Sequence, residues 1–173
     1  MRTKPKLYPA AVAIVALGVL LFAPGVANAH GDRKHTLKLI ATELQFEFVD
    51  VGASGPSLGD QLVFSESLEQ RGRDVGMSGV VCTTTHIVAP YGVTSFQCLG
   101  TLSLRRGQIT LQGLIEVQGE DDPGPFEVAI TGGTGAYRGA GGEAIVRVRG
   151  DGTSVYKLRF DARKKHGGRN HRY

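Results

Sequence analysis

Clusters of turn-forming residues divide most of the chain into short segments of strand-like composition. The clusters read "GASGPSLGD", "QRGRD", "APYG", "RRG", "QGEDDPGP", "TGGTGAYRGAGG" and "GDGT". They combine Gly with Pro, Asp and Ser, which are the residues that favour turns. The segments between them alternate apolar and polar residues, and none has the period of a helix. Short strands at this spacing predict an antiparallel barrel or sandwich rather than βαβ units.

Eight strands are predicted within a single all-β domain at residues 36–162. In the last strand Tyr156, Leu158 and Phe160 alternate with charged residues, so we expect these three to point inward. The same alternation places Phe96 and Cys98 inward in the fourth strand. The predicted strands cover residues 36–49, 61–68, 75–85, 94–105, 108–117, 126–131, 143–149 and 154–161.

Residues 1–29 have the three parts of a secretory signal peptide. A basic start is followed by an apolar run at residues 10–22 and by Ala27-Asn28-Ala29, a small-x-small cleavage site. The apolar run is shorter than the roughly 20 residues of a membrane span, and no cysteine follows the site for lipid attachment. We therefore predict a secreted protein without a stable membrane anchor, whose mature chain starts with a short segment at residues 30–35.

The net charge of +4 belongs to the two ends of the chain. The first 29 residues carry three positive charges and residues 163–173 carry five, with no acidic residue in either, which leaves −4 for residues 30–162. We predict a disordered basic tail at residues 163–173. Basic residues interleaved with aromatics, as a nucleic-acid groove requires, are absent from the predicted domain.

Cys82 and Cys98 are the two cysteines of the chain. Opposed residues of a hairpin have a constant index sum, and this pair is centred on Pro90, inside the "APYG" turn. In an exported chain such a pair is usually a disulfide. The alternative is a reactive thiol beside Glu66. No metal site is predicted, because His30 and His35 near the mature N-terminus lack a further histidine on a rigid face.

Glu66 is the candidate catalytic residue. Leu62, Phe64, Glu66 and Leu68 alternate on the apolar face of the second strand, so the carboxylate is expected to point inward. There it could act as a general acid or base. A slip in register near the end of the strand would instead leave it in solvent.

The run "TGGTGAYRGAGG" does not predict a nucleotide site. A phosphate-binding loop must open a helix, but Gly139, Gly141 and Gly142 stand where that helix would start, and a strand pattern follows. Tyr137 within the run either gates a cavity or anchors the turn.

The same run, within "FEVAITGGTGAYRGAGGEAIVRV", and the segments "SLGDQLVFSESL", "VGMSGVVC" and "GTLSLRRGQITLQG" resemble the allene oxide cyclase and dirigent protein superfamily. The resemblance implies an eight-stranded antiparallel barrel, commonly oligomeric, whose apolar cavity steers ring closure or coupling of a small organic molecule without a redox cofactor. It places Leu62, Phe64, Glu66 and Cys82 on the cavity wall. Phe96, Phe126 and Tyr156 are further candidates for ligand contact, with core packing as the alternative.

Several positions depart from the patterns of the two families. The cyclase's catalytic glutamate and nearby asparagine fall on Ile40 and Thr42, its tyrosine falls on Ile115, and the dirigent arginine falls on Met77. We therefore do not expect allene oxide cyclase activity itself. The predicted function is binding of a small apolar molecule with isomerase or cyclase chemistry, and the alternative is a non-catalytic binding or structural barrel.

Overall fold

The computed structural model of the protein describes residues 33–52, 54–88, 92–118 and 123–162. The predicted signal peptide, His30 and the basic tail lie outside the described residues. Within the described ranges no helix is long and apolar enough to cross a membrane. The strands are β1 Arg33–Val49, β2 Gln61–Gln70, β3 Arg73–Ile87, β4 Val93–Leu104, β5 Gly107–Gln118, β6 Pro125–Gly133, β7 Gly141–Val148 and β8 Thr153–Ala162.

The eight strands form a closed antiparallel barrel in sequence order, and β8 pairs with β1 to complete it. The predicted all-β fold and its eight-stranded antiparallel barrel are therefore confirmed. Strand ends differ from the prediction by up to three residues, because the ladders of hydrogen bonds continue into flanking turn residues. We call the end with the β2–β3, β4–β5 and β6–β7 connections the lower end, and the opposite end the upper end.

Aliphatic side chains fill the lower half of the barrel. The large aliphatic side chains with no exposed surface there come from five strands and alternate with outward-facing polar residues, as the sequence pattern predicts. They are Leu39, Leu68, Leu102, Ile109 and Leu158. This half of the barrel is a packed aliphatic core.

The glycine-rich run closes the lower end with a 3₁₀ turn at Gly135–Tyr137, and β7 begins at Gly141 within the same run. Gly135 has a φ of +58°, and a Cβ there would lie 2.3 Å from the carbonyl oxygen of Arg106. The Tyr137 ring packs edge-on against Phe160, with centroids 6.1 Å apart. Tyr137 is thus an anchor of the turn and does not gate a cavity at the upper end.

At the upper end the wall of the barrel is incomplete. The pairing of β1 with β8 ends at Thr42 and Thr153, and the pairing of β5 with β6 ends at Gln112 and Ala129. Beyond these points β1 continues beside β2 alone, after an irregularity between Glu43 and Gln45. The barrel therefore opens upward into a partial wall, and its inner side chains are reached by solvent.

A buried carboxylate holds the β1–β2 loop next to this opening. Asp60 accepts hydrogen bonds from the backbone N–H of Val51 at 2.9 Å and of Ser57 at 2.6 Å, and from the Ser57 hydroxyl at 3.0 Å. The backbone hydrogen bonds from Val51 and Ser57 lower the pKa of Asp60 because they stabilise its ionised form. The loop beside the opening is thus held by a charged group.

Candidate functional site

A cavity of about 60 Å³ lies inside the upper half of the barrel. Its wall is almost entirely apolar and comes from strands on all sides of the barrel. The side chains that form it include Phe64, Ile115, Phe126, Val128, Val146 and Tyr156, together with the Cys82–Cys98 disulfide. An apolar cavity with few polar groups is typical of sites for small organic ligands.

Two glycines on the inner face leave the space that this cavity occupies. A Cβ on Gly100 would lie 3.5 Å from Val80 and 3.8 Å from Leu111, in ordinary contact, so the position is open toward the cavity. A Cβ on Gly113 would lie 2.6 Å from a methyl group of Val128. Gly113 thus lets β6 approach β5 closely just above the last paired residues.

Aromatic rings extend from the cavity to the opening. Phe46 lies opposite Phe64 in the β1–β2 ladder, and their rings are 6.5 Å apart at an angle of 26°. Phe46 and Phe48 lie where β1 has no β8 partner and are about half exposed. A flat apolar molecule that enters from above would meet these rings before it reaches the cavity.

The disulfide is present as predicted. Cys82 and Cys98 are directly opposed in the β3–β4 ladder, and their sulfur atoms are 2.03 Å apart. The described residues include no free cysteine, so the alternative of a reactive thiol beside Glu66 is wrong.

Glu66 points into the barrel and is 4% exposed, which confirms the inward orientation and excludes the slipped register. Its Oε2 atom accepts a hydrogen bond from the Ser78 hydroxyl at 2.6 Å and one from the Tyr156 hydroxyl at 2.8 Å. Ser78 lies opposite Glu66 on β3, whereas Tyr156 reaches it from β8, 90 residues away in sequence. The three side chains form a buried polar cluster between the lower core and the upper cavity.

Two hydroxyl donors make the burial of this carboxylate tolerable, because a buried charge without partners is costly. The cluster also changes the pKa of Tyr156. Burial, and after it the adjacent Glu66 carboxylate, raise the pKa of Tyr156 well above its usual value. The phenol therefore stays protonated and remains a donor to Glu66.

The predicted contact residues divide into two groups. Phe64, Cys82, Phe126 and Tyr156 line the cavity. Leu62 and Phe96 are only partly buried and are not among the residues that line it. Leu62 is paired with Cys82 and Phe96 with Ile115, so both lie beside lining residues in the ladders without lining the cavity themselves.

The sequence analysis did not identify Ser78, Gly100 or Gly113. Ser78 could have been found, because it stands at an inward position of β3 in line with Val80 and pairs with Glu66 across the Arg71-Gly72 turn. The two glycines carried no such signal, since an alternation pattern does not say which inward positions leave space.

A family model and several solved structures are similar to this chain. The family model for the allene oxide cyclase barrel like domain matches residues 40–160. Pyocyanin demethylase has a similar structure, with 30% sequence identity, a TM-score of 0.63, and coverage of 73% of this chain and 99% of that chain. No curated protein matches the sequence significantly.

Two further solved structures share the fold at lower identity. The exo-specific intermolecular Diels-Alderase AbnU is 19% identical with a TM-score of 0.55, over 75% of this chain and 99% of that one. A pterocarpan synthase dirigent protein is 17% identical with a TM-score of 0.59, over 78% of this chain and 88% of that one. The family match covers most of the barrel, and the chain therefore belongs to the allene oxide cyclase barrel like domain family.

Proposed function

We propose that this protein is exported, binds a small, flat, apolar organic molecule in the upper cavity, and isomerises or cyclises it by proton transfer that depends on Glu66. The observation that carries the proposal is one buried carboxylate, hydrogen-bonded by Ser78 and Tyr156, next to an otherwise apolar cavity. A carboxylate in such surroundings is a suitable general base, because little water competes for it.

The shape of the site supports an aromatic or polyene ligand. Phe64 and Phe126 line the cavity, and Phe46 continues the aromatic surface toward the opening. Because the enclosed volume is about 60 Å³, a larger ligand would place one end in the cavity and rest the other against the half-exposed rings. Such a site holds one conformer of the ligand, and positioning then contributes to rate and stereochemistry.

Export is supported by the leader-like composition of residues 1–29 and by the Cys82–Cys98 disulfide, since disulfides persist in oxidising compartments. Assembly into a homo-oligomer is supported by an apolar area on the outer face of β3, β4 and β5. Val81 and Leu99 are directly opposed there, and Leu114 lies on the adjacent strand. Leu99 and Leu114 are 56% and 58% exposed, which a second copy of the chain would cover.

Native mass spectrometry of the mature protein after incubation with a lipophilic extract of culture medium tests the binding. We expect a compound that is retained by the wild type and by Gly79→Ala, whose added methyl group points to solvent, and is retained less by Gly100→Ala, whose methyl group enters the cavity. Equal retention by all three proteins, or none by any, would contradict binding at this site.

The catalytic part is tested with the retained compound. The wild type should convert it to a product of equal mass, and Glu66→Gln should bind it without conversion, because the amide keeps an oxygen acceptor for Ser78 and Tyr156 but is not a base. Binding without conversion by both proteins would identify a non-catalytic binding barrel.

A second candidate reaction is demethylation of a flat heteroaromatic compound, and the 30% identity over 99% of pyocyanin demethylase favours it. Incubation with pyocyanin in water with an added electron acceptor, so that the methyl group leaves as formaldehyde by a two-electron oxidation, would show by mass spectrometry a product lighter by one CH₂ unit. Unchanged pyocyanin would leave the isomerase proposal as the better one.

A further inference from the structure

We propose that Tyr156 is the residue that contacts the ligand, and that it carries protons between the ligand and the Glu66 carboxylate. The inference rests on the proposed function and names the group through which Glu66 acts. Glu66 itself is then a positioning residue and proton store behind the cavity wall, and Ser78 fixes its orientation.

The arrangement of the cluster relative to the cavity carries this inference. Tyr156 lines the cavity, whereas Glu66 and Ser78 are not among the lining residues. All three are almost fully buried, with exposed fractions of 5%, 4% and 0%. The Tyr156 hydroxyl is the direct hydrogen-bonded link from this wall to Glu66 Oε2, at 2.8 Å. A proton that leaves a ligand in the cavity therefore meets the phenol oxygen before it meets the carboxylate.

The proposed step moves two protons, one from the ligand to Tyr156 and one from Tyr156 to Glu66, and we call it the hand-over. A C–H or O–H bond of the ligand breaks, its proton binds to Tyr156 Oη, and the Tyr156 O–H proton moves to Glu66 Oε2. The electron pair of the broken bond stays on the ligand, Tyr156 is neutral before and after, and Glu66 becomes a neutral acid. The reverse hand-over returns a proton to another atom of the ligand, which completes an isomerisation without any co-reactant.

The environment of Tyr156 favours this concerted route over a free phenolate. Its neighbours in the ladders are Leu39 and Val146, which carry no charge, and Glu66 is the ionisable group that acts on the phenol. Burial and the Glu66 carboxylate keep the pKa of Tyr156 high. The oxygen therefore accepts a proton only as it gives one up.

The hand-over can be tested with 5-nitrobenzisoxazole, a small flat aromatic molecule whose ring opens to a coloured phenolate when a base removes its C–H proton. The proteins compared are wild type, Glu66→Gln, Tyr156→Phe and the double variant. We expect each single variant to lose about 100-fold or more of the ring-opening rate, within the range of general base catalysis, and the double variant to lose no more.

Three results are decisive in this comparison. A Tyr156→Phe protein that keeps the wild-type rate while Glu66→Gln loses it would overturn the hand-over and leave the proposed function standing. A wild-type protein that is no faster than Glu66→Gln would overturn both the hand-over and the proposed catalytic role of Glu66. Circular dichroism shows whether Tyr156→Phe folds. If it does not fold, its loss of rate is not used, and the solvent isotope effect of the wild type decides instead.

That isotope effect separates a proton carrier from a structural residue. The proton removed from 5-nitrobenzisoxazole is bound to carbon and does not exchange with solvent, whereas the Tyr156 hydroxyl proton does. Direct attack by Glu66 therefore predicts equal rates in H₂O and D₂O, and the hand-over predicts a slower reaction in D₂O. Equal rates would overturn the proposal.

Discussion

The same change, Gly to Ala, should have opposite effects at two neighbouring glycines that line the cavity. A methyl group on Gly100 meets Val80 at 3.5 Å and Leu111 at 3.8 Å, which are ordinary contacts. A methyl group on Gly113 meets a Val128 side-chain methyl group at 2.6 Å and the Val128 Cα at 3.4 Å, so β6 itself must move. None of these positions has a left-handed backbone, so space alone decides the outcome.

Gly79 supplies the matched control, because its methyl group would point to open solvent on the outer face of β3. Gly79→Ala should raise the free energy of unfolding by about 0.4–1 kcal/mol, through the lower entropy of the unfolded chain. Gly100→Ala should gain up to about 0.8 kcal/mol more, from burial of one methyl group in the cavity. Gly113→Ala should lose about 1–3 kcal/mol by overpacking.

Urea unfolding followed by circular dichroism measures all three free energies in one series. A Gly113→Ala protein as stable as Gly79→Ala would refute the close approach of β6 to β5 above their last paired residues. A Gly100→Ala protein less stable than Gly79→Ala would refute the open space beside Gly100, and with it the position of the cavity.

Four further outcomes are expected. Replacing Cys82 and Cys98 together by Ala should lower the free energy of unfolding by roughly 3 kcal/mol, which is the contribution of a disulfide that closes a loop of this length. Urea unfolding with and without reductant measures the loss, and an unchanged unfolding midpoint would contradict this prediction. The pKa of Asp60 is lowered in the folded protein, so its stabilisation of the β1–β2 loop is complete above its unfolded pKa of about 4 and is lost as the pH falls through the lower folded pKa. Protection of the loop amides against hydrogen exchange, relative to the unfolded chain at the same pH, should therefore decrease below that pH in the wild type and not in Asp60→Asn. The pKa of Tyr156 is raised, so the folded state holds the phenol proton more tightly than the unfolded state does. The free energy of unfolding should therefore fall above about pH 10 by up to about 1.4 kcal/mol per pH unit. Tyr156→Phe should reduce that slope in unfolding curves measured at alkaline pH. Leu99→Glu should shift the mature protein to a smaller mass in light scattering if the outer apolar area joins copies, whereas an unchanged mass would place any contact elsewhere.

Alternation and turn chemistry were sufficient to predict the strands, because each strand of a small barrel has one apolar and one polar face. The inward position of Glu66 and the pairing of Cys82 with Cys98 followed from the same period of two and from the index sum of one hairpin. These are local properties, and the structure preserves them. The glycine-rich run likewise excluded a helix by its own composition.

The tertiary structure alone decided which inward residues surround empty space. Gly100 opens a cavity and Gly113 admits a neighbouring strand, although both are inward glycines in the sequence, because the outcome depends on side chains of other strands. Closure of the barrel also brings Tyr156 of β8 to Glu66 of β2, across 90 residues. The sequence by itself thus determined the faces of the strands, whereas closure, which is a property of all eight strands together, determined the partners of Glu66 and the place of the site.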